Sequence, residues 1–187
     1  VLRASGEIDL AHLERPVSVR AQPSPAVIEL AVAAIEASER IVLYCGGGAV
    51  ASGASAELVE LAERLGAAVL TTIQGKGAVP EDHPRCLGNL WEAGNRVDRL
   101  LRQADLAIVF GSKLGAQDTE NGKLPLPERR IRVDIDASEV LRQYPPSLAM
   151  VADVRAAARA LLEALEARGV WRPGWSVEEL PACKRAA

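Results

Sequence analysis

Aromatic residues make up only 3% of this 187-residue chain, which also has three cysteines, two histidines and one methionine. A core so poor in aromatics must be built from Val, Leu, Ile and Ala. That composition suits parallel strands covered by alanine-rich helices on both faces. Cys45, Cys86 and Cys183 are widely spaced and odd in number, which argues against a disulfide framework or a metal site and for free thiols in a reducing cytoplasm. The histidines, His12 and His83, sit beside no serine or cysteine in a nucleophile motif, and His83 reads as part of the turn Asp82-His83-Pro84. No zinc spacing is present. Lys and Arg are scattered in a chain of net charge −3 and pI ≈ 5.5, so no basic face recommends nucleic acid. No run approaches the roughly 18 apolar residues of a membrane span, and no signal-peptide pattern opens the sequence. The expected location is the cytoplasm, with no membrane partner.

What is present is a strand running into glycine. Ile41-Val-Leu-Tyr-Cys45 ends in Gly46-Gly47-Gly48, and an amphipathic helix from Ala56 to Leu65, closed by Gly66, follows. Adjacent glycines let the backbone approach a ligand closely, and the N–H groups opening a helix favour an anion such as a diphosphate. A tight β-to-α turn with nothing bound fits these residues equally well.

The rest alternates in the same way. Ser24 caps a helix that begins at Pro25 and places Ile28, Ala31, Val32 and Ile35 on one face. Further strands are expected at Ala67–Thr72, Asp105–Phe110, Arg130–Ile135 and Leu148–Val151. Helices are expected at Asn95–Ala104, around Glu139–Arg142, and from Asp153, as N-cap, to Arg168. Residues 73–84 and 112–127 have loop chemistry, and the second loop is long enough to suggest binding. Strand–helix alternation specifies an α/β fold with a parallel sheet and right-handed crossovers. Residues 1–22 read as a lead-in from a preceding domain, 23–169 as one nucleotide-binding-like domain, and 170–187 as a C-terminal strap or cut end.

Cys45, behind an apolar strand, reads as a buried small residue. Gly75-Lys76-Gly77 is no P-loop, because the upstream glycine and the following Ser/Thr are missing. Gly46-x-Gly48-x-x-Ala51 meets the loose dinucleotide fingerprint, which also wants an acid at the end of the second strand. Thr71-Thr72-Ile73-Gln74 stands there instead, and the acids are at Asp134 and Asp136.

Six segments in this order resemble the central domain of thiamine diphosphate-dependent enzymes, nearest to acetolactate synthase large subunits. They are Gly46-Gly-Gly-Ala-Val-Ala-Ser-Gly53, Glu57-Leu-Val-Glu-Leu-Ala-Glu-Arg-Leu-Gly66, Thr71-Thr-Ile-Gln-Gly-Lys-Gly77, Pro80-Glu-Asp-His-Pro84, Ala104-Asp-Leu-Ala-Ile-Val-Phe-Gly111 and Val133-Asp-Ile-Asp-Ala-Ser-Glu139. The resemblance implies a Rossmann-like six-stranded parallel sheet with helices on both faces, within a middle domain cut from a longer protein. It also implies that thiamine diphosphate and Mg2+ are held by the two other domains, which supply the activating glutamate and the Gly-Asp-Gly motif, so the chain alone carries no catalytic and no metal residue. A homo-oligomer is expected on the same ground.

In acetolactate synthases this domain carries FAD in a structural role, while other members bind ADP or nothing. The FAD pattern maps onto Gly46, Gly47 and Gly48, onto Thr72, Ile73 and Gln74, and onto Gly111. It continues at Asp134, Ile135 and Asp153, and Ser112, Lys113 and Asp136 complete the candidate set. Two departures weigh against FAD. The family's Gly-Met-His-Gly is Trp91-Glu-Ala-Gly94 here, and its Gly-Ala-Arg-Phe-Asp-Asp-Arg is Gly111-Ser-Lys-Leu-Gly-Ala-Gln117. Lys113 lacks the fork of the missing arginines. Charge-assisted hydrogen bonds contribute about 1.5–3 kcal/mol each, so two losses weaken binding on the order of a hundredfold. ADP is therefore favoured over FAD.

The expected cleft lies at the carboxyl ends of the strands. Gly46 to Gly48 form one wall, residues 112–121 a second, and Asp134 with Asp136 a third. The carboxylates accept from ribose hydroxyls and the glycine N–H groups face the diphosphate. The alternatives are a self-contained NAD-linked module, and a scaffold whose Trp171 and Trp175 mark surfaces covered by neighbours.

Overall fold

A computed structural model describes residues 19–89 and 95–180. The elements run α1 (Pro25–Glu36), β1 (Ile41–Cys45), α2 (Gly47–Ala51), α3 (Ser55–Arg64), β2 (Ala68–Thr71) and β3 (Cys86–Asn89). They continue with α4 (Asn95–Gln103), β4 (Leu106–Phe110), β5 (Arg130–Asp134), α5 (Ala137–Arg142), β6 (Leu148–Val151) and α6 (Val154–Ala167).

All six strands are parallel, in the order β3-β2-β1-β4-β5-β6. The chain winds outward from β1 to β3, then returns to the other side of β1 with β4 and winds outward again. β1 and β4 are the central pair, in register from Ile41 beside Leu106 to Cys45 beside Phe110. Side chains on a strand alternate between faces. Ile41, Leu43 and Cys45 therefore face one layer with Ile108 and Phe110, packed under α1, α3 and α6. Val42 and Tyr44 face the other layer with Ala107 and Val109, beneath α4, Leu114, Leu124 and Trp175.

The helix signals act as the sequence implies. The Ser24 hydroxyl accepts from Val27 N–H at 3.3 Å, with Pro25 in the first turn. Asp153 accepts from Ala156 N–H at 3.1 Å to cap α6. The glycine turn differs from expectation, because Gly47 already opens the short helix α2 ahead of α3. The sixth strand, β3, carries no periodic signal: it is four residues long and contains Gly88 at a φ of 76°. Trp175 is also not a covered surface residue. It is buried, and its indole N–H donates to Ile41 O at 2.9 Å, which fastens residues 170–180 across the sheet's amino end. Trp171 is exposed. Cys45 and Cys86 are buried and lie outside any disulfide, and burial pushes the Cys45 thiol far up. Cys183, His12 and Trp91 to Gly94 lie outside the described residues.

Candidate functional site

The strand order turns back between β1 and β4, and the loops leaving those two strands meet there. Such switch points, at the carboxyl ends of the strands, are where open α/β sheets bind ligands. Gly46 N–H donates to Phe110 O at 2.8 Å, and Gly48 N–H donates to Gly111 O at 2.9 Å. A Cβ on Gly48 would lie 2.8 Å from the Gly111 Cα, and a Cβ on Gly46 would lie 2.3 Å from the Gly111 carbonyl oxygen. Gly111 itself has a φ of 57°. Close backbone-on-backbone contact therefore requires glycine here whether or not a ligand binds. This corrects the expected role of the glycine amides: those of Gly46 and Gly48 are spent joining the two loops, so they do not face a diphosphate.

Two clefts flank this junction, and Gly48 and Gly111 line both. The first, of about 390 Å³, runs between Thr72 and Gln74 on one side and the loop from Ser112 to Asp118 on the other. The second, of about 360 Å³, lies among Arg20, Ser52, Asp134, Ile135 and Asp153. Of the sequence-derived candidates, Gly47, Thr72, Gln74, Ser112 and Lys113 fall in the first cleft, and Asp134, Ile135 and Asp153 in the second. Gly46, Ile73 and Asp136 line neither.

The carboxylates explain part of this division. Asp136 accepts from the N–H and hydroxyl of Ser138, at 2.9 and 2.7 Å, and so caps α5. Those bonds hold its carboxyl below the usual range. Helix capping occupies it, and the expected single cleft with three walls is divided in two, residues 112–118 lining the first and Asp134 the second. Asp134 accepts from Asp136 N–H at 3.1 Å through Oδ1 only. Asp153 caps α6 and also accepts from Arg20 at 2.9 Å. Arg20 donates further to Ser52 O at 2.8 Å, and Asp153 N–H to Ala21 O at 2.9 Å. The segment 19–22 is thereby tied across the mouth of the second cleft.

The loop wall of the first cleft is held rigidly. Arg132, fully buried on β5, donates to Ser112 O at 2.9 Å and also to Gln143 O. Burial lowers its pKa. The Tyr44 hydroxyl donates to Asp118 O at 2.7 Å. Leu114, Glu120 and Asn121 all have positive φ, which ordinary side chains adopt only under constraint. Leu114 is fully buried, and this packing offsets its strain. Asp118 faces the cleft with its pKa raised by burial. Lys113 is largely exposed, 3.5 Å from Glu139. Among the described residues, no group of three His, Cys, Asp or Glu side chains is placed to hold a metal ion.

Sequence reasoning missed Arg20 and Arg132 as contributors to the clefts. Arg20 stands in a segment without periodicity. Arg132 looks like the outward member of an alternating strand, and only the packing of α5 and the Ser112 loop over β5 buries it.

Comparisons with known proteins bear on this arrangement. A profile of the family described as thiamine pyrophosphate enzyme, central domain, matches residues 28–161. A probable acetolactate synthase large subunit from Methanocaldococcus jannaschii is 34% identical over 169 residues, covering 86% of this chain and 29% of that protein. A probable 2-ketoarginine decarboxylase from Pseudomonas aeruginosa is 34% identical over 174 residues, covering 90% of this chain and 28% of its own length. A crystal structure described as a putative thiamin diphosphate-dependent enzyme from Mycobacterium smegmatis superposes with a TM-score of 0.67 at 28% identity, covering 80% of this chain and 29% of that one. The chain thus spans under a third of the length of these relatives. With its six-stranded parallel sheet and its family match over most of its length, the chain belongs to the family of thiamine pyrophosphate enzyme central domains.

Proposed function

We propose that this chain is the central domain of an acetolactate synthase-like, thiamine diphosphate-dependent enzyme that joins or decarboxylates 2-oxo acids such as pyruvate. The observation that carries this reading is the family match across residues 28–161, together with relatives named for both a synthase and a decarboxylase. On this reading thiamine diphosphate and Mg2+ sit outside the chain, and the domain itself does no chemistry. It acts as a scaffold between two neighbouring domains in a cytoplasmic homo-oligomer. The NAD-linked alternative has no support beyond its glycines, because β2 runs out into Thr71 and Thr72 with no acid to hold a ribose.

The domain's own ligand on this reading is an adenine nucleotide, ADP rather than FAD. Asp134, whose carboxylate caps no helix, takes the ribose hydroxyls, and the diphosphate crosses the Gly48–Gly111 junction. The exposed Ile135 offers an apolar rim for the base. FAD is disfavoured because Lys113 is the one cation among the described residues of the first cleft, and Glu139 already stands beside it.

The direct test of the activity is an assay of the longer protein that contains this chain, with thiamine diphosphate, Mg2+ and pyruvate or other 2-oxo acids. Cofactor-dependent release of CO2 supports the reading. A reading frame lacking a downstream Gly-Asp-Gly motif, or no turnover of any 2-oxo acid, would sink it.

A further inference from the structure

Arg20 lines two pockets. One is the cleft of Asp134 and Asp153; the other, also about 360 Å³, lies over the outer face of α6 and is lined by Arg155, Arg159, Gln22 and Glu163. Three guanidinium groups from two separate segments therefore share one pocket wall. Arg20 rests through Nη1 on both oxygens of Asp153, at 2.9 and 3.0 Å, and on Ser52 O at 2.8 Å. Arg155 and Arg159, one turn apart on α6, both donate to the same oxygen of Glu57, at 2.7 and 3.0 Å. Glu57 reaches them from α3 and is 6% exposed, and its second oxygen is buried without a partner.

One buried carboxylate serving two arginines fixes their positions without neutralising both. A guanidinium carries five N–H donors, so each arginine keeps donors beyond those that Glu57 takes. Glu163 is the one acid among the described lining residues. Pre-positioned arginines of this kind recognise phosphate through paired, charge-assisted bonds.

We propose that this pocket is a phosphate subsite for a nucleotide phosphorylated on its ribose, such as adenosine 5′-diphosphate bearing a further phosphate at the 2′ or 3′ position. The inference rests on the nucleotide reading above. A ribose whose free hydroxyl is held at Asp134 has Arg20 in the same cleft, and a phosphate on its other hydroxyl reaches the pocket that Arg20 shares with Arg155 and Arg159. An arginine beside the ribose is how dinucleotide folds in general accept a ribose phosphate.

The test is calorimetric titration of the 187-residue chain with ADP, with 2′- and 3′-phosphorylated ADP, and with inorganic phosphate. At least one of the phosphorylated nucleotides is expected to bind about tenfold tighter than ADP or better, in line with the strength of one charge-assisted hydrogen bond. Inorganic phosphate is expected to compete with that nucleotide and not with ADP. Arg159→Gln, which leaves Arg155 on Glu57, should bring the two affinities together. Should that variant fold poorly, Arg159→Lys keeps the charge but not the fork and should lose most of the preference. Equal affinity of the unaltered chain for ADP and both phosphorylated forms would overturn the subsite and leave the nucleotide reading standing. Binding of none of the nucleotides would overturn both. Phosphate that displaced ADP just as well would put the anion in the diphosphate cleft, against this proposal.

Discussion

Gly48 and Gly111 touch through their backbones: the N–H of one donates to the carbonyl of the other at 2.9 Å, and a Cβ on Gly111 would lie 2.6 Å from the Gly48 Cα. Gly111→Ala must therefore fail twice, by clash and by its φ of 57°. Left-handed strain costs roughly 1–2 kcal/mol and overpacking about 1–3 kcal/mol. The expected loss is about 2–5 kcal/mol, read as a lowered urea midpoint. Gly115→Ala is the control, since a Cβ there meets nothing within 4 Å. It should change stability by less than about 0.5 kcal/mol.

Trp175 and Trp171 should behave oppositely, because one is buried against the Ile41 carbonyl and the other is 66% exposed. Trp175→Ala removes a large buried side chain and a hydrogen bond, and should cost about 3–5 kcal/mol. Trp171→Ala should be nearly silent in thermal melts. Equal effects would mean that residues 170–180 do not pack across the sheet end.

Glu57 carries a pH dependence. Burial opposes its ionisation, but the hydrogen bonds from Arg155 and Arg159 outweigh this and hold the carboxyl below its usual pKa of 4.5. A lowered folded-state pKa means that its stabilisation is fully present above the unfolded pKa and is lost as pH falls through the folded value. Glu57→Gln should therefore destabilise at about pH 7, and the gap to the unaltered chain should close as the pH falls below the usual carboxylate range. Urea midpoints measured across that range check this, and a gap independent of pH would contradict it.

Cys45 and Cys86 are both buried, and the Cys45 thiol is pushed well above its ordinary pKa. Reactivity follows the exposed thiolate. In the native chain these two should resist a thiol reagent at mildly alkaline pH, and both should react after denaturation. Peptide mapping of the labelled chain reads each site separately.

The fold was largely legible in the sequence because its central strands are buried on both faces. Leu106–Phe110 and Ile41–Cys45 are continuous apolar runs bounded by Asp105 and by glycines, and Leu148–Val151 is bounded by Ser147 and Asp153, so their limits hold to within a residue. β3 escaped because an edge strand of four residues containing glycine has no period to read. The candidate site was legible where it depends on backbone turns, as at Gly48 and Gly111. It was obscure where it depends on distant side chains. Asp136 followed three residues later by Glu139 is a local helix-start pattern, but only the donation from Ser138 shows its carboxylate turned to the cap and not to the cleft. Nothing in a lead-in segment shows that Arg20 will meet Asp153 across 133 positions.

The most direct test of the nucleotide reading is titration of the 187-residue chain with ADP and with FAD, alongside Asp134→Asn and an absorption spectrum. The chain should purify without colour and bind ADP more tightly than FAD. Asp134→Asn should weaken ADP about tenfold, the worth of one charge-assisted hydrogen bond. A yellow preparation holding near one equivalent of flavin, or an Asp134→Asn variant that binds ADP unchanged, would contradict it.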